Sequence, residues 1–155
     1  MPPVAHVAIV GCGNPTRGDD GVGPHVVHAL AARGLARDGV RLLDAGTDGM
    51  AVMYAARGCR ALIVVDAARS GADPGAVFEI PGAELDDRPP PALSVHEFRW
   101  DHALYAGRRI YGEEFPREVT VFLIEAQSTD FGLELSPPVA AAAAKVAERI
   151  EQLLQ

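Results

Sequence analysis

Residues Ala61-Leu62-Ile63-Val64-Val65-Asp66 form an apolar run that is unbroken until its terminal carboxylate. A half-exposed strand alternates apolar and polar side chains, so a run without alternation reads as a strand covered on both faces. Val7-Ala8-Ile9-Val10 is a second run of this kind, closed by the turn Gly11-Cys12-Gly13-Asn14. Strands buried on two faces need helices above and below them, and the chain supplies helical periods between its strands.

Val22, Val26, Ala29, Leu30 and Arg33 recur at helical spacing, with Gly34 as a stop and Pro24 tolerable in the first turn. Val40-Arg41-Leu42-Leu43-Asp44 reads as a strand, followed by a helix from Asp48 to Ala56. Gly75 to Ile80 is a weaker strand entered through the turn Ala72-Asp73-Pro74-Gly75. Pro81 to Val95, with Pro89, Pro90 and Pro91 in succession, reads as a loop. A helix is expected over Phe98 to Tyr111 and a strand over Val119 to Glu125. A last helix begins at Pro137, with Val139, Ala143, Val146, Ile150 and Leu153 as its apolar stripe. The expectation is a three-layer α/β/α sandwich with a mostly parallel central sheet, one domain over residues 1–155 with no internal repeat.

A chain of 155 residues can bury such a core without disulfides or structural metals. Fourteen basic residues against twenty-one acidic ones give a net charge of −7. That balance argues against nucleic acid and against electrostatic attachment to anionic lipid. The N-terminus lacks the order of a secretory signal, and no apolar run approaches the roughly 20 residues of a membrane span. Cys12 and Cys59 are too far apart for a CxxC pair and read as reduced thiols. A cytoplasmic protein without membrane association is expected.

In an open α/β sheet, ligands bind outside the carboxyl ends of the strands. Asp20 lies in the loop leaving the first strand, Asp66 terminates the central one, and His96 sits in the long loop before a helix. Two carboxylates and an imidazole suit a first-row divalent cation and leave coordination positions open for water or substrate. Each residue also has a plainer reading: Asp66 as a polar strand end, Asp20 as a helix N-cap, His96 as a loop histidine. His102, beside Asp101, is the rival imidazole, whereas His25 and His28 read as surface or packing residues of a helix. Cys12 could serve as a nucleophile with His96 as base, or as a small buried filler. The glycines at 11 and 13 do not make a dinucleotide fingerprint. Thr16 stands where the third glycine belongs, and Asp19-Asp20 would repel a pyrophosphate.

The segment Gly11-Cys12-Gly13-Asn14-Pro15-Thr16-Arg17-Gly18-Asp19-Asp20-Gly21-Val22-Gly23 resembles the GxGNxxxxDDGxG opening of the hydrogenase maturation proteases. Asp44-Ala45-Gly46-Thr47, Leu62 to Ala67, and Ser94-Val95-His96-Glu97 resemble that family's second turn, central strand and SxH segment, in the same order. The resemblance implies an endopeptidase that removes a C-terminal peptide from the large-subunit precursor of a [NiFe] hydrogenase after nickel insertion. It places the metal-liganding carboxylates on Asp20 and Asp66 and the imidazole on His96, with nickel supplied by the precursor and no resident catalytic zinc. A monomer is expected. Two departures are visible: aspartate at position 20, where some members carry glutamate, and Phe98-Arg99-Trp100-Asp101-His102 in place of a leucine-rich continuation. Trp100, the sole tryptophan, reads as a partner contact or a half-buried helix residue. The same site without catalysis would make a nickel-checking chaperone for the precursor, and a hydrolase centred on Cys12 is a third possibility.

Overall fold

The computed structural model describes residues 6–85 and 99–155. Five strands, β1 (Val7–Cys12), β2 (Val40–Gly46), β3 (Ala61–Ala68), β4 (Val77–Pro81) and β5 (Glu118–Glu125), form one sheet in the order β2-β1-β3-β5-β4. All neighbours are parallel except β4, which runs antiparallel to β5 at the edge. Among the described residues, four α-helices accompany them: α1 (Val22–Ala32), α2 (Gly49–Ala56), α3 (Trp100–Tyr111) and α4 (Pro137–Leu153). The chain is the expected α/β/α sandwich.

The unbroken apolar runs divide between two cores. Ile63 and Val65 of β3 join Ile9, Phe122 and Ile124 beneath α1 and α4, while Leu62 and Val64 join Ala8, Val10, Val119 and Val121 beneath α2 and α3. Period-two side-chain alternation sends successive residues to opposite faces, and both faces are covered. Burying Val26 and Leu30 of α1 and Val146 and Ile150 of α4 contributes about 1.5–3 kcal/mol each, which holds the two helices side by side.

Local chemistry sets the boundaries. Asp48 caps α2, accepting the N–H groups of Met50 at 3.0 Å and Ala51 at 3.3 Å, so the helix begins one residue later than its pattern suggests. Strand β4 begins at Val77 rather than Gly75, because Ala76 N–H closes the preceding turn on Asp73 O. At the end of α4, Leu153 is 40% exposed and does not continue the buried stripe that ends at Ile150. The stretch expected as a loop opens with a short 3₁₀ turn at Gly82–Glu84; its continuation lies outside the described residues.

The topology also creates a crevice. From β1 the chain passes through α1, on one face, to β2 on one side. It returns through α2, on the other face, to β3 on the opposite side of β1. The connections therefore diverge beyond the carboxyl ends of β1 and β3, the point where open sheets of this kind bind ligands.

Candidate active site

That crevice is a cleft of about 770 Å³, and Cys12, Gly13, Asp20, Asp66, Arg99 and Trp100 contribute to its lining, with Thr47 and Asp48 on another side. Its first wall is the loop after β1. Gly13 adopts φ +131°, and a Cβ there would strike the backbone carbonyl of Asp20. Glycine thus lets the loop fold back on itself, which is a different use from cradling phosphate. The fold-back is held by Asn14, whose N–H donates to Asp20 Oδ2 at 2.8 Å, while its Oδ1 accepts the N–H and hydroxyl of Thr16 at 3.0 and 2.7 Å. Asp20 therefore does not cap α1; the cap position is Gly21, and the carboxyl of Asp20 faces the cleft.

Its neighbour Asp19 points the other way. Only 1% exposed, Asp19 accepts four hydrogen bonds, from the N–H groups of Gln127, Ser128 and Ser136 and from the Ser136 hydroxyl, at 2.7–3.1 Å. Burial alone would raise its pKa, but these donors outweigh it and hold the carboxyl below the usual range. The turn Gly18–Gly21 that carries both aspartates is thereby fastened to the segment after β5, with Gly18 N–H and Gly132 N–H adding backbone bonds to Gly132 O and Thr16 O.

Asp66 forms the second wall, near the end of the central strand. Its Oδ1 accepts Ala67 N–H at 2.8 Å and its Oδ2 the indole N–H of Trp100 at 3.0 Å, with Arg99 Nη2 3.6 Å away. Burial raises its pKa most strongly. The Ala67 N–H and Arg99 oppose that effect, the charge of Asp20 reinforces it, and the Trp100 bond opposes it, leaving the carboxyl at about 6. Just beyond it, Glu125 accepts the Ser70 hydroxyl and the N–H groups of Ser70 and Gly71, which secures the loop leaving β3.

Topology thus brings Asp20 and Asp66 to one cleft, as the strand ends imply. His96 lies outside the described residues. Among the described residues, no group of three or more His, Cys, Asp or Glu side chains is arranged to hold a metal ion. The rival His102 is occupied at the start of α3, where its Nδ1 accepts Arg99 N–H at 3.1 Å. His28 pairs with Asp44 at 3.0 Å. Cys12 borders the cleft, but burial and the negative charge of Asp66 push its thiol far above the ordinary value. A thiol so disfavoured as an anion is a poor nucleophile. Three features of the site are not legible in the sequence. Asp19 is indistinguishable from Asp20 by type, Arg99 carries no pattern, and Trp100 is buried against Asp66 rather than half exposed.

Comparison with known proteins identifies the family and the fold. Residues 24–153 match the family model described as hydrogenase maturation protease, HycI. The hydrogenase expression/formation protein HupM of Azotobacter chroococcum is 31% identical over 142 residues, covering 88% of this chain and 65% of its own length. The chain therefore spans just under two thirds of that relative. The hydrogenase 2 maturation protease of Escherichia coli is 28% identical over 149 residues, covering 96% of this chain and 88% of its own. The solved structure of the hydrogenase maturating endopeptidase HybD from E. coli superposes with a TM-score of 0.78 at 25% identity, covering 96% of this chain and 91% of that one. With the family model spanning most of the sequence, this chain belongs to the hydrogenase maturation protease family.

Proposed function

We propose that the protein is an endopeptidase that removes the C-terminal extension of a nickel-loaded [NiFe] hydrogenase large-subunit precursor, acting as a cytoplasmic monomer. No described helix is long and apolar enough to cross a membrane. The observation that carries the reading is the meeting of Asp20 and Asp66 in a single cleft, in a chain of this family. Asp66 is held where burial and a neighbouring carboxylate both disfavour its negative charge. A cation between the two acids would relieve that cost, so the oxygen donors present suit the nickel that the precursor brings as part of the substrate. Asp20, Asp66 and His96 would hold it, and when bound it supplies the positive charge that polarises a carbonyl or a water.

The chain's own residues do the rest. Asn14 and Ala67 fix one oxygen of each carboxylate through backbone N–H groups, so both acids meet the substrate already oriented. The cleft of about 770 Å³ that they line is within the range of ligand-binding sites.

The test is to incubate purified protein with nickel-loaded precursor and follow the length of the large subunit. Shortening by the wild type, lost in Asp66→Ala and in His96→Ala while both variants remain folded, supports the proposal. Processing that survives either substitution removes the site. A stable complex with an uncut precursor would instead make the protein a nickel-checking chaperone.

A further inference from the structure

We infer that Trp100 is a positioning residue for this reaction, its indole N–H fixing the carboxylate of Asp66 in the orientation that the cleft requires. The inference rests on the peptidase reading of the same cleft. Trp100 and Asp66 are 34 residues apart, and their bond is buried. Trp100 is the first residue of α3, and the residue before it is fixed: Arg99 is extended, with φ −106° and ψ 179°, and its backbone N–H donates to His102 Nδ1 at 3.1 Å. The ring body packs in the same core cluster as Cys12, Val64 and Leu104. Little freedom is left to the indole.

The geometry divides the carboxylate between two donors. Ala67 N–H takes Oδ1 and the indole takes Oδ2, so rotation of the carboxylate would break a bond at each oxygen. Each oxygen keeps a second lone pair for a substrate group. An indole donates a hydrogen bond but carries no charge and accepts none, so it orients Asp66 without neutralising it. Arg99, the other donor nearby, sits 3.6 Å away with a side chain 60% exposed, and water weakens its hold. Among the side chains near Asp66, Trp100 is the one whose hydrogen bond holds Oδ2 in place.

Because Trp100 is the sole tryptophan, it can be altered by chemistry as well as by mutation. Biosynthetic replacement with benzothienylalanine keeps the bicyclic shape but exchanges the N–H for sulfur. Trp100→Phe removes both the donor and part of the bulk. On nickel-loaded precursor, both should lower kcat roughly ten- to hundredfold, the range for a hydrogen bond to a charged group, with KM within about twofold. A benzothienylalanine protein with wild-type kcat would overturn the inference.

A second measurement does not depend on turnover. The single indole ¹H–¹⁵N resonance of the full chain should lie downfield in the wild type and move upfield in Asp66→Ala. An unmoved resonance would also overturn the inference, because Trp100 would then not be bonded to Asp66. A wild-type protein that leaves the precursor intact would overturn the peptidase reading, while the indole resonance would still decide whether Trp100 holds Asp66.

Discussion

Gly11 and Gly23 face each other across the seam between β1 and α1, and a Cβ on Gly11 would strike the backbone carbonyl of Gly23. A Cβ on Gly23 would meet the carbonyls of Cys12 and Val65. The helix therefore lies on the strand backbone itself, which brings the Asp20 turn close to the end of β3. Backbone atoms at such a seam have no rotamer to change. Gly23→Ala should destabilise the protein by about 3 kcal/mol, as overpacking against immovable atoms does, and a lowered urea midpoint at unchanged slope would show it.

Asp19 supplies the second prediction. Its carboxylate serves three backbone N–H groups and a hydroxyl. Asp19→Ala leaves those buried donors without a partner and should cost about 3 kcal/mol or more. The folded-state pKa is depressed, so the stabilisation is present above the unfolded value near 4 and is lost as pH falls through the folded value. Wild-type stability minus that of Asp19→Ala should shrink on acidification. A difference that stays constant down to pH 3 would contradict the proposed role of the carboxylate.

Asp66 acts with the opposite sign. Its pKa rises from 3.8 to about 6 on folding, so the folded chain binds the proton more tightly than the unfolded one. Its contribution to stability is fully present below pH 4 and is lost as pH rises to about 6, a change of at most about 3 kcal/mol. Asp66→Asn lacks this group and should lack the corresponding slope. Denaturation of both proteins between pH 4 and 7 checks it: the variant should gain on the wild type as pH rises.

How much of the site is legible in the residues depends on what fixes each one. Asp66 is visible because a carboxylate that closes an apolar run must stand at the rim of the sheet, where the strand leaves the core. Asp20 is visible because a glycine loop followed by acids excludes phosphate. Which of Asp19 and Asp20 faces the cleft is not readable, since the choice is made by amides more than 100 residues away. The burial of Trp100 is hidden for the same kind of reason: its partner is supplied by strand β3, 34 residues earlier. The two-residue delay of β4 and the exposed Leu153 reflect local competition for an N–H and the end of the surface that α4 can cover. His96 is singled out by its place in the loop before a helix and again by family likeness, and its position lies outside the described residues.

Cys12 yields the last prediction. Its thiol borders the cleft beside Asp66, yet burial keeps it protonated at neutral pH. Cys12→Ser should therefore process precursor within about threefold of the wild-type rate, far short of the loss expected on removing a nucleophile. A drop of more than about a thousandfold with the fold intact would return the thiol to the mechanism.

The fastening of Asp19 to Gln127, Ser128 and Ser136 has a consequence for biosynthesis. Asp20 leaves the ribosome more than 100 residues before Ser136, so its turn has only the local Asn14 and Arg17 contacts until the distal donors emerge. A nascent chain interrupted before that point would carry both acids without a formed pocket. Competence is thus deferred until the segment through Ser136 is available to fasten the turn.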